Sequence, residues 1–281
     1  MYSYKINGGL TNRRFFTASL VKGRGTVADG GGIPFTKRYF MEKIIINGKP
    51  NTQITEEFSG KAEFFFNIAP KNAKDINAYD AVFFIGADEN EIAPWVGANH
   101  LRICENETDL LKQIRFFLGI PQKVEIERKF LIERPDTDFL EKQKLCKACD
   151  IAQCYINEPY PFRVRKRGLD GDYIYIRTEK RKISELIRTE IENYITESEY
   201  QTAIKNRKVL YKTRWLYIYK NQYFEIDVFP FWQNKALLEI ELTAEDDPYE
   251  LPPFIKVIKE VTEDNYYKNK QIAKRHGIIN E

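Results

Sequence analysis

Val124-Glu125-Ile126-Glu127-Arg128-Lys129-Phe130-Leu131 alternates side chains at a period of two. On a strand, residues i, i+2 and i+4 point the same way. Glu125, Glu127 and Lys129 therefore share one face, and Val124, Ile126 and Arg128 take the other. The pattern recurs downstream, in Pro161 to Arg167, Tyr173 to Thr178, Ile187 to Ile195, Val209 to Tyr219, Gln222 to Phe229 and Ala236 to Leu242. This spacing predicts one-sided strands in a largely antiparallel sheet. Helices are expected over Asp138 to Cys149, Glu197 to Asn206, Phe254 to Glu260 and Tyr267 to Arg275, which makes the fold class α+β.

The strand faces carry formal charge sorted by sign. Acids stand at Glu125/Glu127, Glu225/Asp227 and Glu239/Glu241; bases stand at Arg163/Arg165, Arg177 and Lys212/Arg214. Behind them lie Ile174, Ile176, Ile191, Phe224, Ile226, Leu238, Ile240 and Leu242. For a single strand, a solvated polar face explains this well. Repeated over seven strands, the near absence of Ser, Thr, Asn and Gln on those faces does not fit that reading. Like charges opposite one another on neighbouring strands are destabilising unless an opposite charge sits between them. Gathered carboxylates call for a hard divalent cation, Mg²⁺ or Mn²⁺. Gathered guanidinium and ammonium groups call for a polyanion, and forked arginines match phosphate oxygens.

Glu125-Ile126-Glu127-Arg128-Lys129 resembles the ExExK signature of the CYTH superfamily, the triphosphate tunnel metalloenzymes. The resemblance covers residues 121 to about 275. It is strengthened by the order of the downstream charges: Arg163-Val164-Arg165, Arg177, Glu190/Glu192, Lys212-Thr213-Arg214, Glu225-Ile226-Asp227 and Glu239-Ile240-Glu241. Arg177 stands where relatives more often carry lysine. The resemblance implies an eight-stranded antiparallel β tunnel, open at both ends, with flanking helices. It also implies roles for the matching residues. Lys129, Arg163, Arg165, Arg177, Lys212 and Arg214 would hold a triphosphate. Glu125, Glu127, Glu239 and Glu241, with Asp227, would hold Mg²⁺ or Mn²⁺. Lys129, Arg214 and Glu127 would be the catalytic groups.

The activity so implied is divalent-metal-dependent hydrolysis of a triphosphate compound, either inorganic triphosphate or a nucleoside triphosphate. Two alternatives share the site: a class IV type of adenylate cyclase, and a module that binds polyphosphate or phosphoinositide head groups without turnover. The partner is a small-molecule triphosphate, with an RNA 5′-triphosphate end as a subcase. The aromatic strand around Trp215, Tyr217 and Tyr219 offers surfaces for stacking a base, though such residues usually serve packing.

Upstream, Gly119 to Pro121 marks an expected boundary between an N-terminal domain (1–120) and the tunnel domain (121–281). Ala81-Val82-Phe83-Phe84-Ile85 and Leu101-Arg102-Ile103-Cys104 read as strands. Asn106 is a good N-cap for a helix carrying Leu110, Leu111, Ile114, Phe117 and Leu118. Residues 75–119 thus look like the tail of an α/β unit, smaller than the sheet downstream of it. Met41 to Ile46 and Ala62 to Ile68 read as further strands. The stretch Asp80 to Gly119 resembles the end of the P-loop ATPase domain that precedes CYTH in some two-domain relatives, and the N-terminal region as a whole would be a degenerate form of it. No Walker A motif is present: Asn47-Gly48-Lys49-Pro50 has the wrong residue after its lysine. The glycine runs Gly8-Gly9, Gly23-Arg24-Gly25 and Gly30-Gly31-Gly32 read as loops.

Composition excludes other classes. With 44 Lys+Arg against 41 Asp+Glu, the net charge of the 281-residue chain is only +3. A dedicated nucleic-acid binder concentrates a basic excess that is missing here. The chain is 43% hydrophobic and 14% aromatic, enough for a core. No run approaches the roughly 18 apolar residues of a spanning helix, and the first residues lack the pattern of a secretory signal. A cytoplasmic protein is expected, with Cys104, Cys146, Cys149 and Cys154 as reduced structural thiols. Cys146 and Cys149 have CxxC spacing, but no second pair accompanies them.

Overall fold

A computed structural model describes residues 41–49, 53–121, 124–158, 160–182 and 187–280; 181, 182 and 187–190 are described by backbone alone. The three N-terminal glycine runs and the side chains of Arg188 and Glu190 lie outside the described residues.

The first third of the described chain builds a small sheet. Strands β1 (Glu42–Asn47), β2 (Ala62–Phe66), β3 (Ala81–Ile85) and β4 (Leu101–Cys104) pair in parallel in the order β2, β1, β3, β4. Short helices α1 (Gln53–Glu57), α2 (Ala73–Ile76) and α3 (Glu89–Ile92) connect them, and α4 (Glu107–Phe117) comes after β4. Asn106 starts α4 by accepting from the Asp109 amide, satisfying an amide that has no partner within the helix. Leu110 and Ile114 of α4 then cover Ile44, Ile46 and Phe83 on one face of the sheet. Buried on both faces, the strands read as continuous apolar runs.

The rest closes a ring. Its strands are β5 (Val124–Glu133), β6 (Cys146–Ile156), β7 (Phe162–Leu169), β8 (Asp172–Lys182), β9 (Ile187–Tyr194), β10 (Arg207–Tyr219), β11 (Gln222–Val228) and β12 (Lys235–Leu242). Antiparallel pairing runs β10, β11, β12, β5, β9, β8, β7, β6 and back to β10. Outside this circuit, β13 (Val257–Glu260) pairs with β5 and β14 (Ile278–Asn280) with β10. Two-residue turns fix the register. Asp170 and Gly171 both adopt positive φ, as do Lys220 and Asn221. Such turns match the twist of the flanking strands, so Leu169 pairs with Asp172 and Tyr219 with Gln222.

Pleating then decides which side chains look inward. The outer faces carry Ile126, Phe130, Phe224, Ile226, Leu238 and Ile240 under α5 (Thr137–Glu141) and the Leu251 to Ile255 segment. On the other flank Cys154, Val164 and Val209 lie under α6 (Glu197–Ile204). Each fully buried aliphatic or aromatic side chain contributes roughly 1.5–3 kcal/mol, which offsets the cost of the charges held inside.

Apolar side chains pack beside the charged layer toward each end of the ring. Toward one end the inward positions are Cys149, Leu169, Leu216 and Ile218. They pack against Ile45, Val82, Phe84, Trp95 and Leu101 of the small sheet and its connections. Toward the other, Leu131, Leu210 and Leu237 pack with Trp232, Val261 and α7 (Asn269–His276). Gly97, at φ +119°, sits where a Cβ would lie 2.9 Å from the Leu169 side chain, so the small sheet's last connection approaches the ring closely.

Two expected helices are corrected. The helix over 138–149 ends at Glu141, and Cys146 begins β6. Residues 146–156 bury both faces, so the strand lacks the polar and apolar alternation that marks the others. The stretch 254–260 is not helical: Val257–Glu260 is β13. Among the described residues, strand β9 pairs with β5 over Val124–Ile126, and β13 pairs with the backbone of Phe130–Ile132. Among the described residues no helix is long and apolar enough to cross a membrane.

Candidate functional site

Between the two apolar ends the ring holds a layer of charge. Side chains of Glu125, Glu127, Lys129, Arg163, Arg165, Thr178, Lys180, Glu192, Arg214, Glu225, Glu239 and Glu241 line a cavity of about 390 Å³. Asn99, His100 and Arg102 border it from the small sheet, and Lys268, Asn269 and Lys270 from the start of α7.

One group of charges is centred on Asp227, which is fully buried. Arg214 donates from Nε to its Oδ1 at 2.6 Å and from Nη2 to its Oδ2 at 2.7 Å. Lys212 Nζ also donates to it. The same Arg214 reaches Glu239 at 2.7 Å and pairs with Glu225. Lys129 Nζ completes the group, 2.8 Å from Glu239 and 3.5 Å from Glu127. Register produces this assembly: Glu239 lies opposite both Lys129 and Glu225, and Asp227 opposite Arg214.

Burial disfavours every one of these charges, and partners decide which way each shifts. For Lys129 burial is outweighed by Glu127 and Glu239, and its pKa rises above the ordinary lysine range. Burial of Arg214 is likewise outweighed by Asp227, Glu225 and Glu239. Lys212 differs, because burial and the adjacent Arg214 bring it down to about 8 despite Asp227. Glu239 stays well below the usual carboxylate range, as Lys129 and Arg214 overcome its desolvation.

A second group faces it across the cavity. Glu192 accepts from Arg163 at 3.4 Å, Arg165 at 3.3 Å and the Thr178 hydroxyl at 2.8 Å. Arg165 is nine-tenths buried, and its Nε has no acceptor. Burial and the neighbouring Arg163 lower its pKa. Further along, Lys180 Nζ lies 2.6 Å from both oxygens of Glu125.

Glu192 gives a pH test. Burial would raise its pKa, but Arg165 and Arg163 hold it far below the ordinary glutamate value of 4.5. Such a carboxylate contributes stability that is fully present above about pH 4.5 and lost as pH falls toward the folded-state value. The urea midpoint of wild type should therefore drop between about pH 5 and pH 3, and the Glu192→Gln variant should lose less over that interval. An equal loss in both would remove Glu192 from the acid response.

The structure brings most of the sequence-predicted residues together; Arg177, Lys212 and Asp227 do not line the cavity. Arg177 points to the outer face of β8, stacked at 4.4 Å on the Phe162 ring and 3.0 Å from Glu179. The inward positions of that strand are Ile174, Ile176, Thr178 and Lys180, so the basic group β8 brings to the cavity is Lys180. Lys212 is inside but buried behind Arg214, and it does not line the cavity. Trp215, Tyr217 and Tyr219 pack outside on the ring and meet no ligand space. Cys146 and Cys149 lie on opposite faces of β6, and all four thiols are free and buried. Burial pushes Cys146 up to about 12, far from a reactive thiolate.

The expected metal ligands are present as hard oxygen donors, and each is engaged. Lys180 holds Glu125, Lys129 approaches Glu127, Arg102 pairs with Glu241, and Asp227 and Glu239 are bound by Arg214. Among the described residues no group of three or more His, Cys, Asp or Glu side chains is gathered as a metal site. Glu125 and Glu127 on β5, with Glu241 opposite Glu127 on β12, still fit a hard cation by donor type and register. Burial first, with Glu125 and Glu225, raises the Glu241 pKa even with Arg102 beside it.

No protein-family model matches the chain, and no curated protein matches it. Among solved structures, it is similar to the inorganic triphosphatase NE1496, with 30% identity over 53% of this chain and 93% of that one, at a TM-score of 0.35. It is also similar to the PH1819 protein of Pyrococcus horikoshii, with 19% identity, 43% and 80% coverage and a TM-score of 0.33. A third match, HpAC1 from Hippeastrum, is described as having a dominant triphosphatase activity; identity is 15%, coverage 43% and 80%, and TM-score 0.32.

Proposed function

We propose that this chain is a CYTH-type enzyme that hydrolyses a short triphosphate in the charged layer of the ring, with a divalent cation. The observation that carries this reading is the Arg163 and Arg165 pair. Two guanidiniums are held side by side in the interior against one carboxylate, and a buried Arg165 donor lacks an acceptor. A buried donor without an acceptor costs stability, and a phosphate oxygen would satisfy it.

The residues divide the work by charge. Arg163, Arg165 and Lys180 would take phosphate oxygens from one wall, and Lys129 and Arg214 from the other. In phosphoryl transfer the protein contributes chiefly positioning and neutralisation of charge on the transferred group. Arg214 is suited to this because Asp227 fixes its fork from behind, leaving little to reorganise. Mg²⁺ or Mn²⁺ bound by Glu125, Glu127 and Glu241 would supply the remaining positive charge and polarise the phosphoryl oxygens. In this reading Glu127, beside Lys129, would help to orient the attacking water and take up its proton.

Phosphate release from tripolyphosphate and from nucleoside triphosphates, with and without Mg²⁺ or Mn²⁺, tests the reading. No release from any of them by folded protein would refute it, and cyclic nucleotide with pyrophosphate as products would reassign the site. Two substitutions on β8 separate the faces. Lys180→Ala should lower kcat/KM for tripolyphosphate by about tenfold to a hundredfold, the loss of one charge-assisted contact. Arg177→Ala should change it less than about threefold, as expected of an outer-face residue.

A further inference from the structure

The ring's charged layer receives one group from outside the ring. Arg102 sits on β4 of the small sheet, opposite Phe83, yet its guanidinium crosses to Glu241 on β12. It lines the same cavity as Lys129, Arg163, Arg165 and Arg214. Its Nη1 also donates to the Leu101 carbonyl at 2.9 Å. With five donors in a fixed fork, it keeps donor capacity beyond these two partners.

The placement of this arginine is built into the fold. Arg167, an inward residue of β7, donates to the carbonyls of Gly97 and Ala98. The Tyr223 hydroxyl donates to Ala98 O at 3.1 Å. Residues 97 and 98 are thereby pinned to the ring just before β4 begins, and the Trp95 and Leu101 side chains are buried in the shared apolar cluster. The Arg102 side chain is only 18% exposed.

We propose that Arg102 is a binding residue for the polyanion, delivered by the small sheet to the end of the cavity opposite α7. Without the anion, Glu241 takes the place of the phosphate. When the anion enters, the fork shifts to its oxygens and frees the Glu241 carboxylate. The inference rests on the triphosphate reading of the ring, and deepens it: the small sheet becomes part of the site, and the ligand is a short polyphosphate reaching that end.

Titration calorimetry with inorganic tripolyphosphate in EDTA tests this without any metal. Wild type should bind. Arg102→Ala should bind about tenfold or more weakly, the loss of a charge-assisted fork, and Arg102→Lys should fall between. Glu241→Gln should bind severalfold more tightly, because it removes the competing partner and a repelling charge. The double variant Arg102→Ala/Glu241→Gln should lose most of that gain. A purely structural arginine predicts otherwise: Glu241→Gln would then tighten binding through lost repulsion alone, by the same factor with Arg102 present or with Arg102→Ala, and that result overturns the proposal. Equal affinity of wild type and Arg102→Ala also overturns it. Should Arg102→Ala fail to fold, Arg102→Lys takes its place, alone and combined with Glu241→Gln. Absence of binding by folded wild type would instead defeat the triphosphate reading itself.

Discussion

Replacing Asp227 with asparagine is expected to destabilise the protein by about 3–5 kcal/mol, the loss found when one partner of a buried ion pair is removed. Asp227 is fully buried and is the acceptor shared by Lys212 and Arg214, both themselves buried. Asparagine keeps the shape but leaves the two cations with less counter-charge than they need. At roughly 2–4 °C per kcal/mol for a chain of this order of size, the melting temperature should fall by roughly 10 °C. Added tripolyphosphate should recover more of the loss in the variant than it adds to wild type, since a polyanion supplies the missing charge. A change below about 1 kcal/mol would show that water reaches these groups.

The largest effect on turnover is expected from the opposite wall. Changing Arg163 and Arg165 together to glutamine would strand the Glu192 carboxylate, so the informative variant also carries Glu192→Gln and keeps the local charge near balance. This triple variant should retain its fold yet lose about 10³-fold or more in kcat/KM for tripolyphosphate, the range seen when guanidiniums that stabilise a transferred phosphoryl group are removed. The single Glu192→Gln variant provides the contrast. With its competing acceptor gone, the arginine pair should hold substrate at least as tightly, giving an unchanged or lower KM. A triple variant within tenfold of wild type would remove the arginine pair from the chemistry.

The sequence made the strands with charged faces legible, because a period of two survives wherever one face is charged and the other aliphatic. It also sorted Glu125, Glu127, Lys129, Arg163, Arg165, Arg214, Glu239 and Glu241 onto faces that meet in one cavity. Three things were not legible, each for a physical reason. Strand β6 buries Cys149 and Ile151 on one side and Cys154 and Ile156 on the other, so no alternation advertised it. On β8 both faces contact protein: the Tyr175 ring meets Tyr200 of α6 at a tilt, while Ile174 and Ile176 turn inward. The period shows that faces alternate, and it does not show which one is inside. Lys180, which the charge pattern did not single out, thus reaches the cavity where Arg177 was expected. Arg102 belongs to a different sheet, well before the first ring strand in the chain, and only tertiary docking brings it to Glu241. Despite their CxxC spacing, Cys146 and Cys149 are buried on opposite faces of β6.

The apolar seam between the small sheet and the mouth of the ring has a further implication, for heredity. Leu169, Leu216 and Ile218 lie beyond Pro121, while Ile45, Val82, Phe84 and Trp95 lie before it, yet they fill one continuous volume. A larger or smaller residue on either side must be answered on the other, as in any close-packed interior. The two stretches of chain are therefore not interchangeable modules: a ring from one lineage joined to a sheet from another would meet with gaps or clashes. Drift in one half is bound to be tracked by compensating drift in the other.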